Sequence, residues 1–291
     1  MFCIRKCSHN RKTNFKGGIK MKKFFAMTMC VIMLFGLVAC GDGDPEATFP
    51  SGGVFTTRPA ETETMSRDDA VEAVEEYYEN VVRRTGGYSY LVAPNVVLDD
   101  NECVMTVFVV DNCGDMTEKQ LSKLCTAMLA TRLVIASGNY VGLVYYDADP
   151  SIELPVTKWS EGVDIEYASI VGCMEDENGN SGSSMFDAII VGLKMLTDAQ
   201  EYVPHAKLRL IVLSNGRLDE RCRNKIEEII PLAVGLGAQI HTVAYDVADG
   251  DYKRLDGMKK ISEDTGAECL EVNTSDVVEK VLRLAQEVCN K

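Results

Sequence analysis

FVVDNCGDM, Phe108 to Met116, is a run of apolar and partly β-branched residues that stops at an aspartate. Asn112, Cys113, Gly114 and Asp115 follow, and a helical pattern begins just beyond them. A strand that is apolar on both faces belongs inside a sheet covered on both sides. An acid at the end of such a strand is costly unless something pairs with it. Asp111 therefore calls for partners, and the thiol and second carboxylate that follow it are the first places to look.

Working outward, strand and helix patterns alternate. CVMTVFVVD, YVGLVYYD, LRLIVLSNG, AQIHTVAYD and ECLEVN read as strands, and IELPVT as a short edge strand. MTEKQLSKLCTAMLATRLVIAS reads as a helix with Leu121, Leu124, Cys125, Met128 and Leu129 on one stripe. Helices follow at 163–173, MFDAIIVGLKMLTDA, NKIEEIIPLAVGLG, YKRLDGMKKISEDTG and SDVVEKVLRLAQEVC. This alternation predicts an α/β fold: a Rossmann-like three-layer sandwich with a mostly parallel central sheet, helices on both faces and one short antiparallel edge strand. Ligands in such sheets bind at the carboxyl ends of strands, which puts Asp111 and Asn215 on one rim.

The amino-terminal part is different. Residues 1–39 hold eight Lys/Arg and no acid, and the chain from Cys40 onward carries a net charge of −22. Lys22 and Lys23 precede FFAMTMCVIMLFGLVA, an apolar run of 16 residues that ends at Cys40. A charged start, a short apolar stretch and small residues before a cut form a secretion signal, and the run is short for a spanning helix. LVAC, Leu37–Cys40, resembles the lipobox of bacterial lipoproteins, which implies a diacylglycerol on Cys40 and an anchor on the outer side of the cell membrane. The competing reading is an uncleaved membrane anchor. Residues 1–20 are read as translation upstream of a start at Met21. Residues 40–65 are the lipidated cysteine and a Gly/Pro/Thr/Ser/Glu-rich linker. Residues 66–87 form an acidic amphipathic helix, capped by Ser66 with Asp69, that places Val71, Val74, Tyr78 and Val81/Val82 near one face. Residues 88–291 are the main domain.

The acidic surface disfavours nucleic acid and anionic membrane and suits cations or basic partners, or serves solubility alone. Seven cysteines remain beyond the lipid site: Cys103, Cys113, Cys125, Cys173, Cys222, Cys269 and Cys289. An odd number leaves at least one without an internal partner, and most read as small buried hydrophobes.

The order of elements and the strand ends resemble the von Willebrand factor A domain, the fold shared with integrin inserted domains, over residues 102–291. The family's first strand ends in Asp-x-Ser-x-Ser. Here the stretch is Asp111-Asn112-Cys113-Gly114-Asp115-Met116, with Cys113 and Asp115 in place of the two serines. SGSSMFDAI resembles the family's Gly-Gly-Thr-x-x-Tyr-Asp-Ala and places Ser183 at the metal-binding threonine. LIVLSNG resembles the strand ending in Thr-Asp-Gly, so Asn215 stands for the aspartate.

The resemblance implies a metal ion-dependent adhesion site for Mg²⁺ or Mn²⁺, built from Asp111, Cys113, Asp115, Ser183 and Asn215, that binds a protein ligand. Mg²⁺ wants about six oxygens near 2.1 Å, and Cys113 offers a soft sulfur instead. Asp115 restores the formal charge on a longer arm. It either reaches the metal position or fills the slot of a partner's carboxylate. Each residue also has a plain structural reading. Asp115 with Glu118 forms a helix capping box, Ser183 or Ser184 with Asp187 caps the next helix, Asn215-Gly216 is a turn pair, and Cys113 is packing or a thiol at a helix start.

Other sites are weak. The Asp176–Asn180 loop lacks the glycine and glutamate of a Ca²⁺ loop. His205 and His241 are too few for a zinc site, and Gly235 and Gly237 follow a helix rather than a strand. The expectation is a non-enzymatic envelope lipoprotein that binds protein through a degenerate metal site. The alternatives are a metal-free scaffold of the same fold and a solute-binding lipoprotein.

Overall fold

Val104–Asp111 (β1) is buried at every one of its 8 positions, and a strand with no exposed face has to lie in the interior of a sheet. β1 lies between two parallel neighbours. On one side is Tyr140–Tyr146 (β2), also buried throughout. On the other is Lys207–Ser214 (β4). The computed structural model describes residues 65–85, 96, 102–114, 116–174, 182–215, 225–247 and 252–290, and all of them belong to the unit Arg58–Lys291. The expected leader, Cys40, the linker up to residue 64, Gly86-Gly87, Asp115, the Asp176–Asn180 loop and Cys222 fall outside the described residues.

Pro150–Lys158 (β3), Ala238–Tyr245 (β5) and Cys269–Val272 (β6) complete a six-stranded sheet in the order β3-β2-β1-β4-β5-β6. Every neighbouring pair is parallel except β2 with β3, the antiparallel edge. The expected three-layer arrangement is the one observed.

The helices sort by face. Glu118–Thr131 (α2), Glu161–Cys173 (α3) and Val277–Val288 (α7) bury Leu124, Met128, Tyr167, Val281 and Leu284 against Phe108, Val110, Leu143 and Val243. Met185–Gln200 (α4), Ile226–Leu236 (α5) and Tyr252–Asp264 (α6) cover Val107, Val109, Val144, Leu210 and Val212 on the other face. α4 lies close to the sheet because Gly192 has no side chain. A Cβ there would come within 3.0 Å of Leu210 and 3.3 Å of Val109.

Arg67–Arg84 (α1) packs on α4 and α5. Ser66 caps it by accepting from the Asp69 N–H at 3.2 Å. Its buried residues are Ala70, Val74, Tyr78 and Val81, whereas Val71 is 38% exposed. Val74, Tyr78 and Val81 are buried as expected, but Ala70 takes the place of Val71 at the start of the stripe, because the close partner of Ala70 is a glycine. A Cβ on Gly235 would sit 2.7 Å from that of Ala70. Among the described residues no helix is long and apolar enough to cross a membrane.

Of the six described cysteines, Cys103, Cys113, Cys125 and Cys289 are buried, consistent with packing. One buried ionisable group has a measurable consequence. His241 on β5 is 8% exposed, and its Nδ1 accepts from the Glu268 N–H at 3.2 Å. Burial, together with the nearby Arg209 cation, pushes its pKa down to about 4. The folded state therefore holds this imidazole neutral while the unfolded chain protonates it near 6.5. Its contribution to stability is complete at neutral pH and is lost as pH falls through that window, on the order of 3 kcal/mol in all. Urea unfolding of wild type and His241→Gln at pH 7 and pH 5 checks this. The variant is expected to lose less stability between the two pH values than wild type does.

Candidate functional site

The chain goes from β1 outward to β2 and β3, then crosses back to β4 on the other flank of β1. The connections on either side of β1 diverge at its carboxyl end, which makes the β1–β4 boundary the switch point where sheets of this kind bind ligands. Register places Asp111 one step beyond the Val110–Leu213 pair, beside Ser214. Asp111 and Asn215 are thereby brought together from 104 residues apart.

Asp111 is 1% exposed. Its Oδ1 accepts from the Cys113 backbone N–H at 3.0 Å. Its Oδ2 accepts from the Ser214 hydroxyl and the Asn215 backbone N–H, each at 3.4 Å. The Cys113 thiol also donates to the carboxylate and accepts from Asn215 Nδ2 at 3.5 Å. Cys113 thus takes over a hydroxyl's hydrogen-bonding role through a weaker, apolar-friendly donor. It packs among Met116 and Leu121 and is 5% exposed. Burial lifts the Asp111 pKa above the usual carboxylate range, and the donors from Cys113, Asn215 and Ser214 only partly offset it. Tyr146, opposite Asp111 on β2, feels both burial and the charge of Asp111, and its phenol is pushed far up.

The second rim loop is tied to this centre through backbone bonds. Asn112 N–H donates to the Tyr146 carbonyl at 2.8 Å, and Ser184 N–H donates to the Asp147 carbonyl at 2.8 Å. Ser183 and Ser184, at the start of α4, are 7% and 5% exposed. The hydroxyl of Ser184 is buried without a hydrogen-bond partner.

The two capping readings of the sequence are corrected here. α2 is capped by Thr117, not Asp115: Thr117 accepts from Gln120 N–H at 3.3 Å, and Gln120 Oε1 accepts from Thr117 N–H at 2.9 Å. The helix simply begins two residues later. α4 starts after Ser184, which makes no side-chain cap. Asp187 is the residue three positions on that would complete a capping box, but its carboxylate pairs with Arg84 of α1 instead. Ser214, Tyr146 and the Arg84–Asp187 pair escape a linear reading. Ser214 was visible as the hydroxyl ending β4; nothing near Arg84 in the chain signals its partner.

The predicted residues therefore fall in three groups. Asp111, Cys113 and Asn215 are in direct contact, Ser183 lies on the adjoining loop, and Asp115 and Cys40 lie outside the described residues. Among the described residues there is no group of three His, Cys, Asp or Glu side chains able to hold a metal. The described donor set does not fit a hard divalent cation. It offers one carboxylate with both oxygens already accepting, one sulfur, the buried hydroxyl of Ser183 and an amide whose nitrogen faces that sulfur. The orphan hydroxyl of Ser184 does not complete a shell of about six oxygens.

A sequence model of the von Willebrand factor type A domain matches residues 106–283, more than half of the chain. The human collagen alpha-5(VI) chain is 26% identical over 207 residues, which are 64% of this chain and 8% of that one. A von Willebrand factor type A structure from Catenulispora acidiphila superposes with a TM-score of 0.57 at 12% identity, covering 65% of this chain and 43% of that one. The pilus adhesin SpaC from Lactobacillus rhamnosus GG, in its open conformation, gives 0.53 at 14% identity, covering 67% and 31%. This chain spans less than half the length of each of these three proteins.

The raised pKa of Asp111 has a definite sign. A carboxyl whose folded pKa exceeds its unfolded one stabilises the fold below the unfolded value, and that contribution is lost as pH rises through the folded value. Wild type is therefore expected to gain stability relative to Asp111→Asn as pH falls from 7 toward 4. Denaturant midpoints of both proteins across that range check it; a relative loss by wild type would show a carboxyl held ionised instead.

Proposed function

The chain belongs to the von Willebrand factor type A family, and from that premise we propose that it is an envelope-anchored protein-binding module whose rim engages a protein partner without a tightly held divalent cation. Domains of this family are in general protein-interaction modules rather than enzymes. The observation that carries the metal-independent part is the state of Asp111. Its oxygens are taken by donors from two loops, and two ligand positions of the family pattern carry a thiol and an amide. What remains is a pre-paired polar rim at the β1–β4 switch point, which offers the half-buried Asn112 and Asn215 and the exposed Gly114 for contact.

An enzymatic role finds no support in the same residues. A nucleophilic Cys113 would need a base within hydrogen-bond reach. His241 lies within β5, with Nδ1 occupied by Glu268 N–H, and His205 lies between the end of α4 and the start of β4, at the opposite end of that strand from Ser214. The anchor rests on LVAC at Leu37–Cys40 and on the basic, then apolar, leader before it.

Thermal unfolding with Mg²⁺ or Mn²⁺ separates the readings. Neither ion is expected to raise the midpoint of wild type or of Asp111→Ala relative to the same protein without it. Restoring the family's oxygens with Cys113→Ser/Asn215→Asp is expected to create an Mn²⁺-dependent rise of roughly 5 °C. A rise in wild type that Asp111→Ala abolishes would replace this reading with the metal-dependent one, with Asp115 as the added ligand.

For the anchor, full-length protein expressed in a lipoprotein-processing bacterium is expected to incorporate labelled palmitate and to sediment with membranes. Cys40→Ala is expected to lose the label and the membrane association. Label retained by the variant would refute lipidation at Cys40.

A further inference from the structure

α1 precedes the family-matched residues, yet it is bound to the helix that carries the second rim loop. Its contacts run in antiparallel register along α4. Arg67 Nη2 donates to Gln200 Oε1 at 2.6 Å near the carboxyl end of α4. About two turns along, Glu75 pairs with Lys194 at 2.9 Å, and Lys194 also sits 5.7 Å from the ring centre of Tyr78. Tyr77 meets Phe186 edge-on at 5.8 Å. Arg84, in the last turn, pairs with Asp187 in the first turn of α4. The helix is held at both ends and in the middle, and its last contact falls at the rim.

That last contact stands where a local cap is missing. Ser184 supplies no side-chain cap, and its N–H is spent on the Asp147 carbonyl. The Asp187 carboxylate, 9% exposed, turns away from the helix start to meet Arg84, which is 50% exposed. Lys225 and Asp149 are the other charges that act on it. A buried carboxylate with a cation partner is expensive to leave alone, so Asp187 and the helix turn that carries it follow Arg84.

We propose that Arg84 is a positioning residue for the rim: through Asp187 it holds the uncapped first turn of α4, and with it Ser183 and Ser184, so that the docking of α1 sets the geometry of the second rim loop. α1 is the element through which the preceding chain joins the domain. The inference concerns the loop's geometry and holds whether or not the rim binds metal.

Amide hydrogen exchange on the full chain tests this, with Arg84→Gln, Arg84→Lys, Asp187→Asn and the combined Arg84→Gln/Asp187→Asn. Arg84→Gln is expected to speed exchange in peptides covering 183–189 about tenfold, while peptides from 70–81 and 118–131 exchange as in wild type. Arg84→Lys, which keeps the charge and folds irrespective of fork geometry, is expected to restore most of the protection. The combined variant is expected to exchange no faster at 183–189 than either single variant, as a shared interaction requires. Unchanged exchange at 183–189 in Arg84→Gln would overturn the proposal. So would a uniform increase across α1, α2 and α4, which would mark Arg84 as a general stabiliser, or additive effects in the combined variant.

Discussion

A carboxylate taken out of water at the end of a central strand organises everything around it. Asp111 is the terminal residue of a strand buried at every position, and no cation faces it among the described residues. Dipoles carry the burden instead: an N–H from its own loop, a hydroxyl and an N–H from the end of β4, and a thiol two residues on. Satisfying one acid thereby fastens the loop after β1 to the loop after β4. The cost of burial is not fully offset, which is why the pKa rises rather than falls.

The second buried acid is handled by a different means. Asp187 meets a guanidinium that comes from α1, more than a hundred residues away. Dipoles from neighbouring loops make Asp111 a local problem of the rim, while a cation from a separate helix makes Asp187 a link between the rim and the rest of the chain. Both acids lie on the same side of the sheet, because α4 covers the face that carries Val109, Val212 and Tyr146. The rim is therefore defined by one central strand end and one helix start, each with its own electrostatic solution.

Much of this was legible before any coordinates. Mostly apolar stretches such as VMTVFVVD and YVGLVYY read as interior parallel strands, and the 3.6-residue stripe of α2 named its buried residues Leu121, Leu124, Cys125 and Met128, while its fifth member, Leu129, is only half-buried. The loops were legible in composition but not in geometry. Asp115–Glu118 and Ser184–Asp187 both have the spacing of a capping box, yet α2 is capped by Thr117 and Asp187 is drawn to Arg84. Spacing alone cannot rank two candidate caps two residues apart. It cannot detect a competing partner on another helix either. That Ala70 rather than Val71 starts the α1 stripe has the same origin, since the gap at Gly235 that favours a small residue belongs to a different helix.

By itself the sequence determined the layers, the interior strands, the acid at the end of β1 and the departures at Cys113 and Asn215, because hydrophobic period and residue chemistry are local properties. Only the tertiary structure decided what those residues do to one another. The β1–β4 adjacency follows from the chain crossing back over β1, and it alone turns Ser214, Asn215 and Cys113 into the donors that Asp111 requires. The Arg84–Asp187 pair likewise exists only once α1 lies antiparallel on α4. Pairings across a hundred residues depend on which strands become neighbours. That is settled by burying every apolar face at once, not by any short stretch of chain.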